Sequence, residues 1–208
     1  MSLLECLVGL AISLILVAPL IKNSGELLVK QIALEKTQSL SLEADRALEL
    51  IGRSIRMAGY RNAQSFSEGK IPPQSESDFI SIQKSNGYRG SDSLMVKHEL
   101  SNGVDFDCIG NTLSKERTKN AFAHQGFLVD RQASAPKGMR VNGGSLICQS
   151  LDRHGRLQNT TLMNGVHLLA ITELEGRSGR AFKIKLEMTD GALIHQEFER
   201  TFATRNLL

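Results

Sequence analysis

The chain opens on an apolar run. Residues 1–21, MSLLECLVGLAISLILVAPLI, carry one charged side chain, Glu5, and a helix of that length is long enough to span a bilayer. Residues 22–58 then mix charge with apolar positions and contain no proline. Ala44, Ala47, Leu48, Ile51, Ile55 and Ala58 recur at three- and four-residue spacing, so they form one apolar stripe on a helix. Glu43, Asp45, Arg46, Glu49, Arg53 and Arg56 fall mostly off that stripe, and Glu49 precedes Arg53 at i,i+4 in the favourable order. Gly59 stands where a C-cap glycine belongs. The pattern predicts one helix of about 58 residues, roughly 87 Å long at 1.5 Å per residue. Gly25 is its soft spot, and Pro19, which lacks an N–H, should loosen or kink it locally.

Beyond Arg61 the period changes. Pro72-Pro73, Gly69, Gly87 and Gly90 mark loops around a short strand at 79–83. The runs 93–98, 104–108, 121–130, 145–150 and 168–175 are short, apolar-rich and bounded by Gly, Asn or Ser, as strands are. Residues 182–188 alternate apolar and charged, as a strand with one wet face does. Asp190-Gly191 follows, so 182–188 and 193–202 read as a hairpin. The expectation is a long N-terminal helix followed by an antiparallel sheet domain.

Glu5 is the anomaly in the apolar run. A carboxylate in mid-membrane costs roughly 2.5–3.5 kcal/mol on translocon scales, less near the end. Such a group needs a partner, and the nearest candidate is a chain-terminal amine. A secretory signal peptide would place basic residues first, whereas the first Lys or Arg here is Lys22. A plain signal anchor leaves Glu5 without a role, and a buried soluble helix would show a polar face.

Composition narrows the function classes. The 208 residues hold 25 basic and 22 acidic side chains, a net charge of +3 that is too mild to argue for a nucleic-acid partner. There is no Trp and only 5% aromatic residues, so no stacking platform for bases stands out. Arg177, Arg180, Lys183 and Lys185 read as a solvated hairpin face rather than a DNA groove. Cys6 reads as a small hydrophobe inside the apolar segment. Cys108 and Cys148 can pair if the domain is exported to an oxidising compartment, and otherwise are two buried thiols. Paired, they would stabilise the fold by roughly 4 kcal/mol on the chain-entropy account. Neither has a second Cys or His at zinc spacing.

Chemistry is hard to find. His98, His124, His154, His167 and His195 never stand at i,i+3 or i,i+4, and each reads as a surface or strand residue rather than a metal ligand. Asp105, Asp107 and Asn111 faintly resemble the start of a calcium loop, but the required Gly and closing Glu are misplaced, so the segment reads as a strand entering a turn. No GxSxG, P-loop or GxGxxG occurs. The expectation is therefore a protein that is not an enzyme, with no catalytic residue, metal or cofactor.

Met1-Ser2-Leu3-Leu4-Glu5 and the apolar residues after it resemble the mature N-terminus of type IV pilins and pseudopilins. Within that superfamily, Arg56-Met57-Ala58-Gly59-Tyr60, the Gly90-Ser91-Asp92-Ser93-Leu94-Met95-Val96 segment, the Cys108 and Cys148 pair and the closing TFATRNLL resemble motifs of PilW-type minor pilins, a family that includes prepilin peptidase-dependent protein B. The resemblance implies an α+β, pilin-like fold. Residues 1–21 would be a transmembrane and filament-core helix segment, 22–59 the amphipathic half of the same helix, and 60–208 a periplasmic antiparallel sheet domain. Met1 would be the processed, N-methylated residue, and Glu5 would serve subunit assembly by neutralising a neighbour's terminal amine. Leu3, Leu4, Leu7, Val8, Leu10, Ile12, Leu14, Ile15, Leu16, Val17 and Pro19 would lie in the membrane and later the filament core. Cys108 and Cys148 would form a disulfide.

The implied function is a minor pilin in type IV pilus assembly, priming or capping the filament in a complex with other minor pilins. Its partners would be those subunits, the major pilin, the inner-membrane assembly platform and prepilin peptidase. It would sit in the bacterial inner membrane with its domain in the periplasm before assembly, and in the pilus, at the tip, afterwards. One alternative is a minor pseudopilin of a type II secretion system. An alternative of another class is a membrane-anchored protein that binds DNA or another ligand.

Overall fold

In a computed structural model, which describes residues 3–62, 79–132, 143–174 and 179–206 (residues 3, 16 and 18–20 by backbone only), the first 55 described residues form one helix, α1 (Leu3–Met57). It runs unbroken through Pro19 and Gly25. Seven strands follow: β1 (Ile80–Gln83), β2 (Ser93–Glu99), β3 (Phe122–Arg131), β4 (Gly144–Leu151), β5 (Leu157–Leu174), β6 (Ala181–Thr189) and β7 (His195–Ala203). The chain divides into two units, Met1–Ser39 and Leu40–Leu208, with the division inside α1.

The fold expected from the resemblance is corrected here. The described residues form a mostly-β protein, a single seven-stranded antiparallel sheet in the order β1-β2-β3-β4-β5-β6-β7. Among them no helix is long and apolar enough to cross a membrane. The membrane-crossing helix expected at 1–21 is therefore not found among the described residues.

In the unit Leu40–Leu208, the stripe read from the sequence is the buried face of α1. Ala44, Ala47, Ile51, Ile55 and Ala58 are fully buried and Leu48 is nearly so. They pack with Leu94, Val96, Phe127, Val129, Leu146, Leu169, Ile184 and Leu186 in one core cluster. Gly52 lies where a Cβ would come within 2.3–2.7 Å of the Phe202 ring, so this close approach of helix and ring requires glycine. The helix ends at Gly59, whose φ of +71° is the left-handed conformation that only glycine adopts freely.

The alternation read at 182–188 is β6, with Phe182, Ile184, Leu186 and Met188 buried. Its outer face carries Lys183 and Lys185, paired to Glu199 and Glu197 of β7 at 2.7 and 2.8 Å. The expected hairpin is present, closed by the Asp190 carboxylate, which accepts from the backbone N–H groups of Ala192, Leu193 and Ile194.

Two strand readings change. Residues 104–108 form no strand; only a single bridge pairs Phe106 with Thr112. The reason is Asp107, whose carboxylate accepts the backbone N–H groups of Ile109 and Asn111 and so turns the chain where a ladder would continue. β5 is much longer than the 168–175 read from its apolar end. Its first part pairs with β4 and its second with β6, with register shifts in both ladders. Gly165, at φ +78°, sits between the two parts, and a Cβ there would meet the Thr189 carbonyl at 2.7 Å. The loop glycine and prolines at Gly69, Pro72 and Pro73, and Arg177, lie outside the described residues.

Candidate assembly surface

The unit Met1–Ser39 contains one element, the N-terminal part of α1, so no strand in that unit covers its side chains. Leu4, Leu7, Val8, Leu10, Ile12, Leu14, Ile15, Val17 and Ile21 are 45–72% exposed. Leu27, Leu28, Val29, Ile32 and Leu34 continue the series at 53–68%. Soluble monomers rarely leave so much contiguous apolar surface uncovered, and such surfaces mark interaction sites. Glu5, Gly9 and Ser13 recur at i,i+4, so they share one side of the helix. The Ser13 hydroxyl donates back to the Gly9 carbonyl at 2.8 Å. Glu5 is exposed, and so is Cys6, which is not disulfide-bonded. Met1, expected as the processed residue, lies outside the described residues, as do the side chains of Leu3, Leu16 and Pro19.

The motifs quoted from the rest of the chain hold the sheet unit together. At the helix end, the Gly59 N–H donates to the Lys97 carbonyl at 3.1 Å and the Tyr60 carbonyl accepts from the Glu99 N–H at 2.9 Å. The chain leaving α1 thus pairs along β2. Gly90-Ser91-Asp92 serves β5, three strands away from β2 in the sheet order. The Asp92 N–H donates to the Leu169 carbonyl, the Ser91 hydroxyl accepts from the Leu169 N–H, and the Asp92 carboxylate accepts from the Ile171 N–H at 2.8 Å. β4 has left β5 by that point, so Ser91 and Asp92 supply the partners that a neighbouring strand otherwise would. Lys84 donates to Asp92 at 2.9 Å and also to the Ile171 carbonyl. Burial pushes the Asp92 carboxyl up, but the hydrogen bonds from Lys84, Ile171 and Ser85 outweigh it and hold it below its ordinary value. At the other end of the chain, the Asn206 side-chain amide donates to the carbonyls of Arg56 and Ala58, the last acceptors of α1.

Cys108 and Cys148 are joined in a disulfide with Cα atoms 6.0 Å apart, so the two-thiol alternative is excluded. Beside it, Arg117 pairs with Asp107 at 2.7 Å, and both side chains are buried to at least nine-tenths. The remaining guanidinium donors reach the Leu151 and Thr112 carbonyls. Every charge there is therefore met, which is what a buried pair needs. Burial pushes the Asp107 carboxyl up, and the bonds from Asn111, Arg117 and Ile109 bring it below its usual value.

A second buried polar chain joins helix to sheet. The Ser54 hydroxyl donates to Gln125 Oε1 at 2.7 Å, and Gln125 Nε2 donates to His98 Nε2 at 3.2 Å. His98 Nδ1 lies 2.9 Å from the Glu99 carbonyl, which places the proton on Nδ1 and leaves a neutral ring. Burial pushes the His98 pKa down, against the pull of the Glu99 carbonyl and Asp105. His124 is lowered to about 4 by burial and by the charges of Lys97 and Lys119. Among the described residues no group of three or more His, Cys, Asp and Glu could hold a metal ion.

The structure thus brings together Cys108 and Cys148, and it places the described apolar residues of the N-terminal set on one exposed helix. Sequence reasoning missed the roles of Ser54, Gln125, Arg117 and Asn206, because nothing in spacing distinguishes them from ordinary polar residues. Compared with known proteins, the chain matches no family model, no curated protein and no solved structure.

Proposed function

We propose that this protein is a structural subunit of a type IV pilus, a minor pilin without catalytic activity that joins other pilins through the N-terminal part of α1. The observation that carries the reading is the exposed apolar surface from Leu4 to Ile21 with a single carboxylate, Glu5, in it. Packing such helices side by side in a filament removes this surface from water, at about 25 cal/mol per Å². Within that packed interior an unpaired carboxylate is penalised, so Glu5 selects the register in which a neighbouring subunit's terminal amine meets it. The covering is supplied by neighbouring helices, and the proposal does not need α1 to cross a bilayer. The disulfide supports an oxidising compartment for the sheet unit, as the periplasm is.

The test is Glu5→Leu in the native host. The variant should accumulate with its disulfide formed, while its content in sheared pili falls by at least about tenfold, the equivalent of 1.4 kcal/mol. Normal incorporation would overturn the proposal. Deletion that abolishes protein secretion and leaves pili intact would reassign the subunit to a type II secretion pseudopilus.

A further inference from the structure

The outer face of β1–β4 contains a hollow with a consistent chemistry. Register carries one row of residues across five strands: Ser81 opposite Met95, Met95 opposite Gly126, Gly126 opposite Gln149, and Gln149 opposite Asn159. These positions alternate with the core residues Leu94, Phe127 and Cys148, so they face away from the helix side of the sheet. The middle of the row is a glycine. A Cβ at Gly126 would come within 2.8 Å of Gln149 Oε1 and 2.9 Å of the Met95 methyl, so the missing side chain is what lets these two groups lean over the depression. Beside Met95 and Gln149 lies a cavity of about 270 Å³, which Ser81, Gln83, Asn86, Ser93 and Leu128 also line.

Among the described residues no charged side chain lines it. This is not a general property of the outer face, because on β6 and β7 the same face carries the Lys183–Glu199 and Lys185–Glu197 pairs. The polar groups are held by one another. The Asn86 amide donates to Gln83 Oε1 at 2.8 Å and to the Ser93 hydroxyl at 3.3 Å, and Gln149 donates to Asn159 at 3.1 Å. Those bonds orient the complementary ends: Asn86 Oδ1 and Gln149 Oε1 are left as acceptors and Gln83 Nε2 as a donor, and the Ser81 hydroxyl can do either. Met95 and Leu128 supply its apolar surface.

We infer that this hollow binds a neutral, polyhydroxylated ligand, one or two sugar rings of a glycan. Hydroxyl groups that both donate and accept suit a lining of amides and hydroxyls, and the apolar C–H face of a pyranose suits Met95 and Leu128. A charged ligand would find no counter-charge there. A peptide would need an extended groove rather than a compact hollow of this size, which is slightly smaller than the roughly 300 Å³ of the smallest usual ligand pockets. Without an aromatic platform, a single site should bind in the millimolar range, and repetition of sites on an assembly would raise the avidity.

The experiment uses the full-length protein in detergent with its methionine methyls labelled, the Met95 signal being assigned through Met95→Leu. Lactose, maltose and cellobiose are titrated separately, with sialyllactose and tetraglycine as comparators. At least one neutral disaccharide should shift the Met95 methyl with saturation at millimolar concentration. Asn86→Ala combined with Gln149→Ala, both surface changes that leave the core untouched, should weaken that binding at least about tenfold. No shift of the Met95 methyl with any of the three, a response to sialyllactose or tetraglycine alone, or unchanged binding in the double variant would each overturn the inference. None of these outcomes depends on pilus assembly.

Discussion

The two parts of α1 are made of similar residues and end in opposite environments. From Leu40 onward, Ala44, Leu48, Ile51 and Ile55 are at most 1% exposed against the sheet. Between Leu4 and Ile21 comparable aliphatic side chains are 45–72% exposed. What separates them is pattern. The later part has a stripe with charge on its other faces, which one sheet can cover. The earlier part has apolar residues on most of its circumference, which one sheet cannot. A helix of the second kind is covered only if apolar surface meets it on several sides, as the proposed filament would provide.

The contrast can be broken most directly by making the same truncation in both parts. Ile51→Ala should cost about 2–5 kcal/mol of stability, enough to lower the melting temperature by roughly 5–20 °C. Ile15→Ala should move the melting temperature of the unassembled protein by no more than about 2 °C, because the side chain is already 72% exposed. Equal effects in calorimetry would show that the N-terminal part is buried in the isolated subunit.

A smaller effect tests how closely the later part is fitted to the sheet. Gly52→Ala adds one methyl and improves helix propensity by about 1 kcal/mol. The Phe202 ring 2.3–2.7 Å away should more than cancel that gain, for a net loss of about 1–3 kcal/mol in denaturant unfolding. Gly9→Ala, with nothing within 4 Å of the new atom, should instead be neutral or mildly stabilising.

The smallest effect is that of pH. His98 and His124 both have folded pKa values below the ordinary 6.5, that of His124 at about 4. The unfolded chain therefore takes up protons first as pH falls. The contribution of these rings is fully present above about pH 6.5 and is lost progressively as pH falls towards 4. Asp92 and Asp107, held below their usual 3.8, act in a lower window. Melting temperature followed from pH 7 to 4 should fall, and His124→Gln should flatten part of that slope. An unchanged slope in the variant would mean that His124 does not carry it.

Much of the sheet unit was legible because its elements are strongly periodic. The α1 stripe and β6 follow from apolar spacing alone, since 3.6-residue and two-residue periods point to different geometries, and the Gly59 stop follows from glycine's freedom at a C-cap. The first part of β5 was not legible, because Leu157 to Thr161 is mostly polar and faces water. The turn at Asp107 was hidden by a local alternation that a single carboxylate overrides.

By itself, the amino-acid sequence determined that a long helix precedes a run of antiparallel strands, which face of the later helix is buried, and that Glu5 is the one charge in an apolar start. These are properties of neighbours along the chain. Tertiary structure alone decided that Cys108 meets Cys148, that Ser54 reaches His98 through Gln125, and that Ser91 and Asp92 complete the edge of β5. It also decided that Met95 and Gln149 close over Gly126 beside a hollow on the outer face. Each of these joins residues tens of positions apart, and such contacts depend on strand register and on where β5 bends, quantities that no short window of sequence contains.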